Sequence, residues 1–182
     1  PEEALQLDKE NGNTRWQDSL ALEVATVQEY GTFEDQGYGD LKPPGYKKIR
    51  VHFVFAIKHD GRHKSRLCAG GHLTDIPLES VYSGVVTLRS IRTIVFLAEL
   101  NSLQTFSADI KGAYLLADTK ERVYIVAGKG FGDLEGHTLI IRKALYGLRS
   151  SGKRYWEKLF DTLESMGFKM SKNDNEVWLR DM

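Results

Sequence analysis

The sequence predicts an α+β chain with mixed, mainly antiparallel strands and three main helices. One reason is a period-two apolar run, Val51, Phe53, Phe55 and Ile57, followed by the turn residues His59-Asp60-Gly61-Arg62 and a returning run. A second is that apolar residues recur at helical spacing in three separate stretches. A third is that strand and helix alternate too irregularly for a doubly wound sheet, and several strands are joined by turns of hairpin length. With 182 residues, 41% of them hydrophobic, the chain can bury a core without metal or disulfide staples. Its single cysteine, Cys68, excludes an internal disulfide framework and leaves a reducing compartment permitted.

Residues 1–14 are expected to be a polar, aperiodic tail or linker, with residues 15–182 as the folded unit. Trp16, Leu20, Val24 and Val27 then mark an amphipathic helix over Arg15–Tyr30, capped by Asn13 or Thr14 and stopped by Gly31. Gly37–Tyr46, with three glycines and Pro43-Pro44, is a loop. Ile49–Lys58 and His63–Ala69 form the hairpin. Leu88, Ile91, Val95 and Ala98 give a second helix over Thr87–Leu100, broken by Asn101-Ser102. In Thr105–Ile110, Ser107 and Asp109 alternate with Phe106, Ala108 and Ile110, which predicts a short strand with Asp109 toward solvent and the apolar set in the core. Val123–Val126 and Leu139–Arg142 are strands bracketing a glycine-rich hairpin loop from Gly128 to Gly136. Ser150 or Ser151 caps a third helix to Met166, with Tyr155, Leu159, Leu163 and Met166 on one face and Gly167 as its stop. Glu176–Arg180 is the last strand.

The formal net charge is zero, yet charge is strongly segregated. Residues 1–40 carry ten acidic side chains against two basic ones, whereas residues 41–75 carry eight basic against two acidic, with four of the five histidines. Arg142, Lys143, Arg149, Lys153, Arg154 and Lys158 form a second basic cluster with only Glu157 against it. Two such clusters fit a polyanion partner or, equally, solvated faces offset by acids elsewhere. The chain starts Pro1-Glu2-Glu3-Ala4-Leu5, without initiator Met, basic n-region or apolar h-region, so nothing reads as a targeting peptide and the start looks like a cut end. The longest apolar stretch, Ile94–Ala98, falls far short of the roughly 20 residues that span a bilayer. The expectation is therefore an intracellular protein, cytoplasmic or nuclear, with no membrane partner.

Six linked motifs carry a family resemblance. They are Asp60-Gly61-Arg62-His63-Lys64-Ser65-Arg66-Leu67; Ser83-Gly84-Val85-Val86 with Ile91-Arg92; Asp109-Ile110-Lys111-Gly112-Ala113-Tyr114-Leu115; Val123-Tyr124 with Gly130-Phe131; Lys143-Ala144-Leu145-Tyr146-Gly147-Leu148-Arg149; and Gly167-Phe168. In order and approximate spacing they resemble the reverse transcriptase of copia-type retrotransposons, over its fingers and N-terminal palm. The resemblance implies an RNA-directed DNA polymerase acting on an RNA or DNA template-primer and deoxynucleotide triphosphates. It implies that Asp109 is the catalytic carboxylate and a ligand of two Mg²⁺ ions in the complete polymerase; hard dications want carboxylate oxygens, and two of them stabilise both oxygens of an in-line displacement. It further implies that Tyr114 lies under the sugar and selects against a 2′-hydroxyl, that Arg66 with Lys64 holds the triphosphate, and that Tyr146 and Gly147 form the pocket floor. Lys58 is a lesser triphosphate candidate. Independently, Lys64 and Arg66 alternate with apolar neighbours, so both can face one side of a strand and offer charged donors to phosphate oxygens.

Two departures set limits. Ser150-Ser151-Gly152 stands where the family pattern would run Gln, a small residue and Pro, which removes a rigid helix start and puts the pocket geometry in question. The family's Tyr-x-Asp-Asp hairpin, expected shortly after Glu176–Arg180, is not in this sequence; Asp181 is the one neighbouring acid. One carboxylate cannot hold two divalent ions, so the isolated chain is expected not to polymerise. The rival expectation is a non-catalytic binding or structural protein derived from such an element. His52, His59, His63, His72 and Cys68 cluster in sequence, but no C-x-x-C pair accompanies them and period-two strands scatter them over both faces. The Gly128–Gly136 loop lacks phosphate-cradle signatures.

Overall fold

In the computed structural model, which describes residues 2–77 and 79–180, helices and strands follow in the order α1 (Glu2–Glu10), α2 (Arg15–Glu29), β1 (Phe33–Tyr38), β2 (Lys47–Lys48), β3 (Val51–Ile57), β4 (His63–Ala69), α3 (Leu88–Leu100), β5 (Val123–Val126), β6 (His137–Ile141), α4 (Ser151–Ser165), β7 (Lys169–Met170) and β8 (Trp178–Leu179). Short 3₁₀ turns lie at Gly71–Leu73, Ala113–Leu116 and Lys129–Leu134. One sheet has the order β1-β6-β5-β2, antiparallel except for β2 beside β5. β3 and β4 form a separate hairpin in unbroken register from Val51–Ala69 to Ile57–His63, and β7–β8 a third, small sheet. The predicted mixed, mainly antiparallel class therefore holds, with four α-helices rather than three among the described residues.

The additional helix is α1, in the segment expected to be an aperiodic tail. It buries Ala4 and Asp8, and the Asp8 carboxylate accepts hydrogen bonds from the backbone N–H groups of Trp16 (2.9 Å) and Gln17 (2.9 Å). A carboxylate here satisfies two of the four orphan donors at the start of α2 and complements the positive end of its dipole. Thr14 does occupy the N-cap, but its hydroxyl turns to the Asp18 carboxylate and makes no cap bond. Asn13 Oδ1 accepts from the N–H of Arg15 (3.1 Å), as a local cap would, and the next two donors are taken by Asp8 from seven residues before the helix, which no local sequence pattern could signal.

α2 packs along β4. Alternation on β4 sends Ser65, Leu67 and Ala69 inward and leaves Lys64 and Arg66 exposed, as the period-two reading required. The otherwise open backbone of β4 is covered by the helix: Ser65 N–H donates to Ser19 Oγ (2.7 Å) and Leu67 N–H to Glu23 Oε1 (2.9 Å). Side chains of α2 thus do for this strand what a neighbouring strand would do, and protect its edge. Val27, Leu67, Ile125, Leu139, Ile141 and Leu145, each 1% exposed or less, form the centre of one core shared by α2, the hairpin and the four-stranded sheet.

Two expectations fail. Thr105–Ile110 is not a strand: no described strand pairs with it, Phe106 is 90% exposed and Ile110 is exposed too, so the split into a core face and a solvent face does not arise. Alternation is a necessary condition for a strand, but the backbone extends into a sheet only where a neighbour takes its hydrogen bonds. α3 forms where predicted, with Thr87 Oγ1 accepting from Ser90 N–H (3.2 Å), yet only Ala98 of its apolar face is buried; Leu88, Ile91 and Val95 are exposed. α4 matches its prediction, Gly167 ending it at φ +84°.

α3 is tied to the β7–β8 connection by Asp174. Its Oδ2 accepts from Ser90 Oγ (2.6 Å) and Thr87 N–H (3.0 Å), and its Oδ1 accepts from Glu176 N–H (3.1 Å). These donors, the Ser90 hydroxyl foremost, lower the Asp174 carboxyl from 3.8 to about 2. A depressed carboxyl contributes stability that is complete above its unfolded value and is lost as pH falls toward the folded one. Asp174→Asn is accordingly expected to lower the melting temperature near neutral pH and to match the parent near pH 2. Equal melting at pH 6 would refute this anchor.

Candidate active site

The main site residues named from the sequence come from three separate stretches: β4, the Asp109–Leu116 segment and the turn after β6. The structure assembles part of them as a stack. The Arg66 guanidinium lies 5.3 Å from the Tyr146 ring centre. Tyr146 stacks on Tyr114 with centroids 4.7 Å apart, and Tyr155 packs on Tyr114 at 6.0 Å. Asp109 is exposed beside this group; burial first, and then the Asp109 charge, raise the Tyr155 phenol above its ordinary range. Each tilted aromatic pair contributes about 0.5–1.5 kcal/mol beyond area burial, and a cation over a ring adds a comparable amount.

Backbone packing between two turns fixes this arrangement. Ala69 N–H, at the end of β4, donates to Tyr146 O (2.6 Å), and Arg149 Nε donates to Gly71 O (2.9 Å). Gly147 sits at φ +90°, and a Cβ there would strike the Ala69 carbonyl oxygen; one on Gly71 would strike the Gly147 carbonyl oxygen. The turn at Gly147 must therefore lack a side chain because β4 presses on it. That differs from the expectation that the space above Gly147 serves a bound base and sugar, since neighbouring backbone fills it.

Ser151 Oγ donates to Leu145 O (2.6 Å), and Glu121 Oε1 accepts from the N–H (3.0 Å) and hydroxyl (2.6 Å) of Ser150, so two serines tie the start of α4 to the turn. Gly152, which departs from the family's proline, has its open side against Ser83 Oγ, where a Cβ would come within 2.9 Å, and against the Tyr114 hydroxyl. Close packing of Ser83 explains a residue without a side chain at this point of α4.

Not every named residue joins the stack. Lys64 Nζ lies 3.8 Å from Glu23 Oε2 and is held toward α2. Tyr114 has Tyr146 and Tyr155 both packed against its ring, a crowding that the sequence pattern did not anticipate. Tyr155 itself had been read only as part of an apolar helix face; its position four residues into α4, behind Tyr146-Gly147, was the available signal. In the second basic cluster Arg142 pairs with Glu34, Lys143 with Asp118 (2.7 Å), and the buried Arg154 with Glu79 (2.6 Å) and Glu157 (2.7 Å), which leaves these three engaged within the chain.

A divalent-ion site fits these residues poorly. Among the described residues no three His, Cys, Asp or Glu side chains come together as a metal would need. Asp181 lies outside the described residues. A groove of about 1740 Å³ lies elsewhere, lined by Trp16, Leu20, Val24, Phe53, Phe55 and Phe131 among others, and contains none of the stacked residues. No helix among the described residues is long and apolar enough to cross a membrane.

The structure is thus a mixed α/β chain that brings an arginine-bearing hairpin against a Tyr-Gly turn and an Asp-x-x-x-x-Tyr segment. The chain belongs to the reverse transcriptase (RNA-dependent DNA polymerase) family, whose pattern matches residues 40–182. It is 28% identical over 172 residues to the retrovirus-related Pol polyprotein from transposon TNT 1-94 of Nicotiana tabacum, covering 89% of this chain and 13% of that protein. It is 32% identical over 140 residues to the transposon Ty1-DR5 Gag-Pol polyprotein of Saccharomyces cerevisiae, covering 75% of this chain and 8% of that one. The chain thus spans a small part of the curated relatives that it matches. No solved structure matches it significantly.

Proposed function

We propose that this chain is the nucleotide-handling portion, fingers and N-terminal palm, of an RNA-directed DNA polymerase of a copia-type retrotransposon. The observation that carries the reading is the continuous stack Arg66–Tyr146–Tyr114–Tyr155 beside exposed Asp109, built from three stretches distant in sequence. In this reading the Arg66 guanidinium receives the triphosphate, with Lys64 joining it on release from Glu23. Tyr114, held between two rings, presents a rigid edge to the sugar and disfavours a 2′-hydroxyl. Asp109 is the catalytic carboxylate. Because no three metal-ligating side chains group among the described residues, the isolated chain in this reading binds substrates without extending a primer. The acid-rich residues 1–40, which would repel a template, favour a second reading, a non-catalytic binding protein that keeps the fold.

Binding distinguishes the reading from an unrelated role. A fluorescein-labelled primer-template titrated at low and moderate salt should bind weakly, with affinity falling as salt rises, because cationic side chains release counterions from phosphates. Arg66→Ala should weaken the binding of dATP, whose triphosphate the guanidinium receives in this reading, and leave the primer-template affinity nearly unchanged. No binding at low salt, or binding indifferent to salt, would overturn the reading. Primer extension by a purified sample that disappears in Asp109→Ala would overturn the expected inactivity and leave the polymerase assignment stronger.

A further inference from the structure

The family pattern begins at residue 40, yet a side chain from before it reaches the site. Tyr30, at the end of α2, donates its hydroxyl to the backbone oxygen of Lys111 (3.1 Å). Its ring also lies over Gly112, which sits at φ +62° with the nearest Tyr30 carbon 3.0 Å from where a Cβ would be. Lys111 and Gly112 are the two residues midway between Asp109 and Tyr114. Past them Leu115 N–H closes onto Gly112 O (2.8 Å), and the Ala113–Leu116 turn carries Tyr114 into the stack. On the other side, residues 103–110 have no strand partner, so nothing in a sheet holds Asp109.

We infer that Tyr30 is a positioning residue for the Asp109–Tyr114 segment, and that α1 and α2 are a working part of the site. The ring and hydroxyl of Tyr30 take the place of the missing sheet neighbour. The hydroxyl satisfies the Lys111 carbonyl, and the ring presses on a residue whose left-handed backbone admits no side chain beneath it. Tyr30 is in turn held rigidly. α2 is seated on β4 by the Ser19 and Glu23 bonds and capped by Asp8, and Tyr30 packs on the common core. This inference rests on the reading that Tyr114 selects the sugar.

The test uses the 182-residue chain with three measurements: hydrogen exchange, thermal melting, and calorimetric titration with dATP and with ATP. Tyr30→Phe removes only the hydroxyl, and Tyr30→Leu also removes the ring from Gly112. Tyr30→Phe is expected to speed exchange of the Lys111–Leu115 amides by about fivefold, the size of one net hydrogen bond, with β5 and β6 amides unchanged. The preference for dATP over ATP is expected to fall by a similar factor, and further in Tyr30→Leu. A purely structural role would loosen the segment and leave the dATP preference intact, and that result overturns the inference. Unchanged exchange in Tyr30→Phe overturns it as well. A parent chain that binds dATP and ATP alike overturns the sugar-selection reading and this inference together, whereas a parent preference that survives both variants overturns the inference alone.

Discussion

Gly147→Ala is expected to cost about 2–5 kcal/mol of stability and to separate Arg66 from Tyr146. A left-handed backbone costs a residue with a Cβ roughly 1–2 kcal/mol. The methyl also has nowhere to go, because its position coincides with the Ala69 carbonyl oxygen, a backbone atom at the end of β4. Overpacking of this kind adds about 1–3 kcal/mol, since only a shift of main chain relieves it. That shift would lengthen the Ala69 N–H to Tyr146 O bond and move the ring on which Arg66 and Tyr114 rest. Urea unfolding measures the first effect, and calorimetric titration with dATP the second. A change of less than about 0.5 kcal/mol, the ordinary scatter of surface substitutions, would show that the two turns are not locked together.

Leu67→Ala is expected to cost about 2–5 kcal/mol, the range for emptying a leucine-sized space in a packed core. Leu67 is 0% exposed, and it stands where α2, the hairpin and the four-stranded sheet meet, with its own N–H held by Glu23. Elements on three sides are bonded to one another, so the cavity can collapse only partly and the cost falls toward the upper end. Arg66 and Cys68 flank it in β4, so loosening Leu67 also loosens the strand that carries the guanidinium. Thermal and urea denaturation give the magnitude. Leu67→Met, which keeps the volume, should lose less than about 1.5 kcal/mol, and equal losses in both variants would contradict a tightly packed centre.

Much of this protein was legible in the order of its residues. The β3–β4 hairpin, its turn at Gly61, the outward placing of Lys64 and Arg66, and helices α2, α3 and α4 follow from periods of 2.0 and 3.6 and from local stop signals, which depend only on neighbours in sequence. Motif order likewise sufficed for the family to which the chain belongs, and it singled out Arg66, Tyr114, Tyr146, Gly147 and Asp109 as candidates. Tertiary contacts decided the rest. Asp8 caps a helix that begins seven residues later, Glu23 and Ser19 cover the edge of β4, and Tyr30 reaches Lys111 across 81 positions. Thr105–Ile110 alternates like a strand and is not one, because alternation says which face a residue would take but not whether a neighbour exists to bond it. Gly147 shows the same division at a single residue. Its sequence context asks for a turn, whereas the requirement for glycine comes from the Ala69 backbone, which arrives there only after the hairpin has folded against the turn.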